Sequence, residues 1–181
     1  MNIKRLTYIG LFACLTALGA LITVPIPPLV VPITLQIPFT LTAGFILGPR
    51  DGAVSQLLYL LLGAVGLPVF SGQQGGIGML WGPTAGFLWG FVLAAFLIGW
   101  LSCRFRFRSF RAIFLALIFG LMLIYAAGVI GLMLVLDYSF GQALGAGVAP
   151  FVLVDVFKLL VSAYVVERLI KTGIVKAASK R

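Results

Sequence analysis

Six long runs of apolar residues, separated by short polar or Gly/Pro-rich segments, dominate the sequence. They cover residues 6–24, 36–48, 52–68, 82–102, 112–136 and 148–168. A membrane-spanning helix needs about 20 predominantly apolar residues. The pattern therefore predicts an all-α integral membrane protein with six transmembrane helices, the second and third of them short. Residues 1–181 are predicted to form one six-helix domain.

The segments between these runs predict two kinds of connection. Gly48-Pro49-Arg50-Asp51-Gly52 is typical of a compact turn between the second and third runs. Residues 25–35 are proline-rich and aliphatic, whereas residues 69–81 are glycine-rich. Because no small-residue cleavage site follows the first run, we interpret that run as a mature helix and not as a signal peptide.

The composition excludes most soluble classes of protein. Hydrophobic residues make up 62% of the chain and charged residues 9%, whereas soluble domains have about 45–50% and 25%. The net charge of +9 comes from clusters between apolar runs, so it indicates topology and no nucleic-acid partner. The chain has no histidine, and its two cysteines, Cys14 and Cys103, form no metal motif. We expect no metal, no cofactor and no enzymatic activity.

The positions of the cations predict the orientation in the membrane. Twelve of the 13 lysines and arginines fall on one side of the six-helix arrangement, and the thirteenth, Lys158, lies within the sixth run. The positive-inside rule makes that side, with both termini, cytoplasmic. Arg104-Phe105-Arg106-Phe107-Arg108 is then interpreted as a topology signal that anchors to membrane lipid headgroups, with partner docking as the alternative.

Asp155 and Lys158 are the two charged residues that lie deep within an apolar run. At 1.5 Å per residue they lie roughly 10 and 15 Å below the external surface, and their i, i+3 spacing places them on one helix face. Charges at such depth normally face a protein interior or a polar cavity. Three interpretations stay open: an ion pair that satisfies itself, a pair completed by an external ligand, and a proton or ion relay.

The external segment 69–87 supplies a second group of candidate residues. Its glycines, including Gly75, permit close approach of the backbone to a ligand. Gln74 offers an amide, and Trp81 and Phe87 offer flat apolar walls. Together with Asp155 and Lys158, these residues predict an outward-facing pocket for a small, partly apolar molecule with a carboxylate and amide-like or urea-like hydrogen bonding. An ordinary external turn is the alternative.

Small residues on the first helix predict close helix packing. Ala13 and Ala17 are four positions apart, a spacing that lets another helix approach closely. Packing inside the chain and docking of a partner helix are both open.

Missing motifs bear on the mechanism. The sequence contains no Gly-x-x-x-x-Gly-Lys-Ser/Thr loop, so it has no means of hydrolysing ATP. It also lacks the repeated halves typical of secondary transporters. A pocket without an energy source predicts a binding subunit that needs a separate motor.

Several sequence blocks, collinear over about 170 residues, resemble the BioY family of biotin-binding S components of energy-coupling factor (ECF) transporters. The blocks are Pro32-Ile33-Thr34-Leu35-Gln36, Leu47-Gly48-Pro49-Arg50, Gly66-Leu67-Pro68-Val69-Phe70, Gly82-Pro83-Thr84 and Asp155-Val156-Phe157-Lys158. Each block alone is weak, but their combination is specific to that family.

The resemblance implies an S-component fold of six helices in the cell membrane, with cytoplasmic termini and a biotin pocket near the external face. It also implies a transmembrane coupling subunit and two cytoplasmic ATPases as partners, and docking of the coupling subunit on Ala13 and Ala17. The implied function is to capture biotin and deliver it inward. An S component for another small carboxylated vitamin and a structural helix bundle are the alternatives.

Carried over by position, Asp155 and Lys158 match the family's binding pair, and Gln74 lies where a member may carry Asn. Two positions depart from the family. Phe87 replaces a usual Tyr and loses its hydroxyl, and Leu88 replaces an Arg found in some members. The second change places more of the predicted ligand contact on Lys158.

Overall fold

The structure, a computed structural model, describes residues 3–25 and 31–173, and this part of the chain is mostly helical. Its helices are α1 (Ile3–Leu21), α2 (Gln36–Leu47), α3 (Pro49–Ala64), α4 (Ala85–Phe105), α5 (Phe110–Leu136), α6 (Phe140–Gly147) and α7 (Val152–Lys171). A two-stranded antiparallel hairpin, β1 (Thr23–Val24) and β2 (Ile33–Thr34), follows α1. Residues 26–30 of the proline-rich connection and the cations Lys176, Lys180 and Arg181 lie outside the described residues.

Not all of the helices are long enough to cross a membrane. By length and apolar composition α1, α4 and α5 qualify, and α6 with α7 qualifies as one span bent by 51°. α2 has 12 residues and α3 has 16, so each is shorter than a full span. The described residues thus contain three or four candidate spans. The six-span arrangement with cytoplasmic termini stays a prediction.

The predicted five-residue turn between the second and third runs is wrong. α2 ends at Leu47 and α3 begins at Pro49, so only Gly48 connects them. Gly48 adopts a φ of 86°, which favours glycine. Pro49 can begin α3 because the first helical position needs no backbone N–H.

The predicted loop after α5 contains a helix that the sequence pattern did not reveal. α6 begins with a capping box, in which the backbone N–H of Ser139 donates to Oε1 of Gln142 and the Ser139 hydroxyl accepts from the Gln142 backbone. Pro150 lies between α6 and α7 and supplies no backbone N–H, which interrupts the helical pattern there. The sixth predicted run accordingly begins as a helix at Val152 and not near residue 148.

Glycines allow α4 to pack closely on its neighbours α2, α3 and α5. A Cβ atom at Gly44 of α2 would lie 2.3 Å from the carbonyl oxygen of Ala95 on α4. A Cβ atom at Gly86 of α4 would lie 2.3 Å from the carbonyl oxygen of Ala127 on α5. In contrast, large apolar side chains on the outer face of α5, such as Leu134, are exposed, as expected for a face in contact with lipid.

Two acidic residues, Asp51 and Glu167, are paired with basic residues. Asp51, in the first turn of α3, accepts hydrogen bonds from two nitrogens of Arg5 on α1. Glu167 of α7 accepts from the backbone N–H of Phe110 at 3.0 Å and pairs with Lys171 at 3.0 Å. These contacts join α1 to α3 and α7 to the start of α5.

Candidate ligand-binding site

Asp155 and Lys158 form a direct ion pair in the first two turns of α7. The Lys158 ammonium lies 2.7 Å from Oδ1 of Asp155, as their i, i+3 spacing predicts. Both side chains are shielded, since the Asp155 side chain is 4% exposed and that of Lys158 is 10% exposed. The ammonium also donates to the backbone carbonyl of Thr34 on β2 at 2.8 Å. The pair therefore links α7 to the hairpin after α1.

Tyr125 of α5 completes the environment of the carboxylate. Its hydroxyl donates to Oδ2 of Asp155 at 2.6 Å, so each carboxylate oxygen accepts one hydrogen bond. Tyr125 is not among the site residues that the sequence predicts. The available signal was a tyrosine in the middle of an apolar run, because a buried tyrosine hydroxyl usually has a hydrogen-bond partner.

The carboxylate of Asp155 lies on the wall of a cavity of about 570 Å³, a volume that includes its opening to solvent. The wall is formed by the hairpin, α2, the loop after α3, the first half of α4, α5, and the α6–α7 break. Its polar residues are Thr34, Gln36, Ser71, Thr84, Tyr125 and Asp155.

Aromatic side chains form much of the remaining wall. Phe87 and Phe91 from α4 line the cavity, as do Phe70 and Phe151. Phe87 is 7% exposed, and its ring packs against Gly128 of α5, where a Cβ atom would collide with it. The cavity therefore combines hydrogen-bond acceptors and donors with flat apolar surfaces, an arrangement that suits an apolar ring carrying a few N–H and C=O groups.

The structure brings some of the predicted site residues together and leaves others apart. Asp155 and Phe87 line the cavity. Lys158 is hydrogen-bonded to two lining residues, Asp155 and Thr34. Gln74, Gly75 and Trp81 are not among the lining residues. The ligand contacts predicted for Lys158 and for these three residues stay predictions.

The glycine-rich segment has a local structure of its own. The carbonyl of Gln74 accepts from the backbone N–H of Phe70 at 2.9 Å, and a Cβ atom at Gly75 would lie 2.4 Å from the carbonyl oxygen of Leu67. A short 3-10 helix covers Ile77–Leu80. Trp81 is 71% exposed and stacks on Trp89 of α4. This segment therefore packs over the ends of α3 and α4.

Ala13 and Ala17 face into the bundle. Ala13 is fully buried within the hydrophobic core, and Ala17 is partly buried against it. A partner helix cannot contact the Ala13 side chain in this arrangement. Of the two interpretations of these alanines, the structure supports internal packing for Ala13.

Comparison with known proteins identifies the family. Residues 1–174 match the BioY family. This chain belongs to the BioY family. A biotin transporter BioY of Thermotoga maritima is 40% identical over 168 residues, which are 93% of this chain and 96% of that relative. A probable biotin transporter BioY of Pyrococcus horikoshii is 38% identical and covers 93% of this chain and 98% of its own length.

A solved structure also resembles this BioY-family chain. The crystal structure of the S-component for biotin from an ECF-type ABC transporter superposes with a TM-score of 0.86 at 28% identity, covering 93% of this chain and 92% of the other. Together with its candidate spans, this membership makes the chain a multi-pass protein of the cell membrane with an S-component fold.

Proposed function

We propose that this chain is the biotin-binding S component of an ECF-type uptake transporter. The observation that carries the proposal is the buried Asp155 carboxylate on the cavity wall, held by Lys158 and Tyr125. This chain matches two relatives over more than nine-tenths of their length, and these are named biotin transporter BioY and probable biotin transporter BioY.

The chemistry of the cavity matches that of biotin. Each oxygen of Asp155 accepts one hydrogen bond from the protein, and a carboxylate has about four acceptor positions. Asp155 can therefore accept the two ureido N–H groups of the ligand. Thr34 and Gln36 provide further polar groups on the wall. The apolar bicycle and the aliphatic tail of biotin pack against Phe87 and Phe91.

Inward delivery requires a separate energy source in this proposal. The sequence has no ATP-binding loop of the Walker type. A transmembrane coupling subunit and two cytoplasmic ATPases supply the energy, and the chain crosses the membrane six times with its cavity open to the outside. The concentration of basic residues at the opposite helix ends, such as Arg104 and Arg111, supports this orientation.

Calorimetric titration of biotin into the purified, detergent-solubilised chain tests the proposal. We expect saturable binding with about one ligand per chain, and we expect the double variant Asp155→Asn, Lys158→Met to lose it. Replacing both members avoids the unpaired buried charge that a single replacement leaves.

A matched control removes a different ion pair. The variant Arg5→Gln, Asp51→Asn also eliminates one acid and one base, but these residues join α1 to α3 and do not line the cavity. It should bind biotin as the unmodified chain does. Absence of binding by a folded unmodified chain, or undiminished binding by the Asp155/Lys158 variant, would contradict the proposal. Binding of a different carboxylated vitamin in place of biotin would do so as well.

A further inference from the structure

A chain of hydrogen bonds leads from Lys158 into the interior of the bundle. Lys158 donates to the Thr34 carbonyl at 2.8 Å, and the Thr34 hydroxyl donates to Oε1 of Gln36 at 2.9 Å. The Gln36 amide nitrogen donates to the Tyr59 hydroxyl, which donates to the carbonyl of Val69 at 3.1 Å. Five segments are thereby connected: α7, β2, α2, α3 and the loop after α3.

The side chains in this chain are buried, so their mutual hydrogen bonds replace those they would make with water. Thr34 is 9% exposed, Gln36 4% and Tyr59 0%. In the described part of the molecule, every buried side-chain nitrogen or oxygen has a partner. Removing one member leaves its neighbour unsatisfied, and the neighbour then changes orientation or loses stability.

Thr34 is the point at which this chain reaches the ion pair. A lysine ammonium has three N–H donors. Asp155 and the Thr34 carbonyl use two of them, and the third has no partner among the described residues. The position of the Thr34 carbonyl therefore determines how the ammonium is directed at Asp155. Gln36 accepts a hydrogen bond from the Thr34 hydroxyl, and Tyr59 is bonded to Gln36. The hydrogen bonds of Lys158 and Asp155 go to Thr34, Tyr125 and each other.

From this geometry we infer that Gln36 and Tyr59 are positioning residues for ligand binding. They fix Thr34 through its hydroxyl, Thr34 fixes the Lys158 ammonium through its carbonyl, and the ammonium fixes Asp155. The result is a carboxylate whose free acceptor positions are preorganised for two adjacent N–H groups, the pattern of a cyclic urea. This inference rests on the proposed biotin-binding function.

The molecule offers a control of the same kind. A second buried polar cluster joins α1, α2 and α3, where the Thr40 hydroxyl donates to Oε1 of Gln56 at 3.0 Å. Thr40 is 0% exposed, as Tyr59 is, and neither Thr40 nor Gln56 lines the cavity. Tyr59→Phe and Thr40→Val thus each remove one buried hydroxyl that is bonded to a glutamine. Only Tyr59 is connected to Lys158.

The first test is a double-mutant cycle on biotin affinity, measured by calorimetry. We expect Tyr59→Phe and Thr34→Val each to weaken biotin binding about tenfold. The dissociation constant of the double variant should exceed that of the weaker-binding single variant by no more than about twofold. Thr40→Val should change biotin affinity less than about twofold, both in the unmodified chain and in the Tyr59→Phe variant. Independent, multiplicative effects of Tyr59→Phe and Thr34→Val would overturn the inference, as would an equal loss in Thr40→Val.

The second test needs no ligand. Reversible unfolding of the ligand-free chain in mixed micelles should show a smaller loss of stability from Tyr59→Phe in the Asp155→Asn, Lys158→Met background than in the unmodified chain. The loss from Thr40→Val should be equal in both backgrounds. If the unmodified chain fails to bind biotin, the proposed function fails, while this cycle still decides whether Tyr59 is coupled to the ion pair. Equal losses from Tyr59→Phe in the two backgrounds would overturn it.

Discussion

Asp155 is stabilised by a group from another helix as well as by its own helix. An ionised carboxylate that is 3% exposed is unfavourable unless it is paired and hydrogen-bonded. Lys158 neutralises it from one turn away, and Tyr125 of α5 donates to its second oxygen. The same contacts that stabilise the charge also leave it facing the cavity. The structural role of this residue therefore coincides with its proposed ligand-binding role.

Tyr125→Phe tests that coincidence. The change removes only the hydroxyl that lies 2.6 Å from Oδ2 of Asp155. Because hydrogen bonds to charged groups contribute about 1.5–3 kcal/mol, we expect biotin affinity to fall by at least about tenfold, as measured by calorimetry. Tyr164→Phe is the control, since that hydroxyl lies on an exposed side chain that is bonded to Arg168. Equal affinity of Tyr125→Phe and the unmodified chain would refute a role for this hydroxyl.

At the scale of elements, the site is assembled where helices end or break. The hairpin, the start of α2 and the α6–α7 break all contribute to the cavity wall. Their relative placement depends on the close contact of α2 with α4, which Gly44 permits beside Ala95. A larger side chain at that position must separate the two helices.

Gly44→Ala should therefore destabilise the chain by about 1–3 kcal/mol, the usual effect of overpacking. Gly10→Ala is the matched control on α1, because its Cβ atom would meet nothing within 4 Å. A helical alanine in open space is favoured over glycine by roughly 0.5–1 kcal/mol, so the two substitutions should have opposite signs. Unfolding in mixed micelles measures both, and equal effects would refute the packing argument.

The sequence predicted the residues that stand out chemically but not those whose role depends on how helices face each other. Asp155 and Lys158 were found because charges are rare in an apolar run, and their pairing follows from helical spacing. Tyr125 and the Thr34–Gln36–Tyr59 contacts depend on the rotation of α5, α2 and α3 about their axes, which one-dimensional apolar patterns do not specify. The spacing of the small residues Ala13 and Ala17 likewise does not reveal which face of α1 is inside, and their docking role stays a prediction.

At the scale of the whole molecule, charge and cavity lie at opposite ends of the same helices. α4 begins beside the cavity and ends at Arg104 and Phe105, and a helix of 21 residues is roughly 30 Å long. The exposed residues Arg106 and Arg108 follow directly. By the positive-inside rule, this separation agrees with the proposed orientation, in which the cavity opens to the outside.

Cysteine labelling tests the orientation. In a background with Cys14→Ser and Cys103→Ser, single cysteines are introduced at the exposed positions Ser139 and Ser109. A membrane-impermeant maleimide should label Ser139→Cys in intact cells and Ser109→Cys only after permeabilisation. The reverse pattern would invert the proposed topology, and labelling of both from outside would contradict the proposed crossing of the membrane by α5, which separates the two positions.

The unequal helix lengths have a consequence for the lipid around the protein. α5 has 27 residues, or about 40 Å, whereas α3 has 16, or about 24 Å, against a hydrocarbon thickness of about 30 Å. α3 also presents exposed apolar residues such as Val54 and Leu61. In the predicted six-span arrangement, the bilayer next to α3 becomes thinner or the protein leans, and each ångström of mismatch costs a fraction of a kcal/mol. In that arrangement, the tilt of this protein changes with the thickness of the membrane.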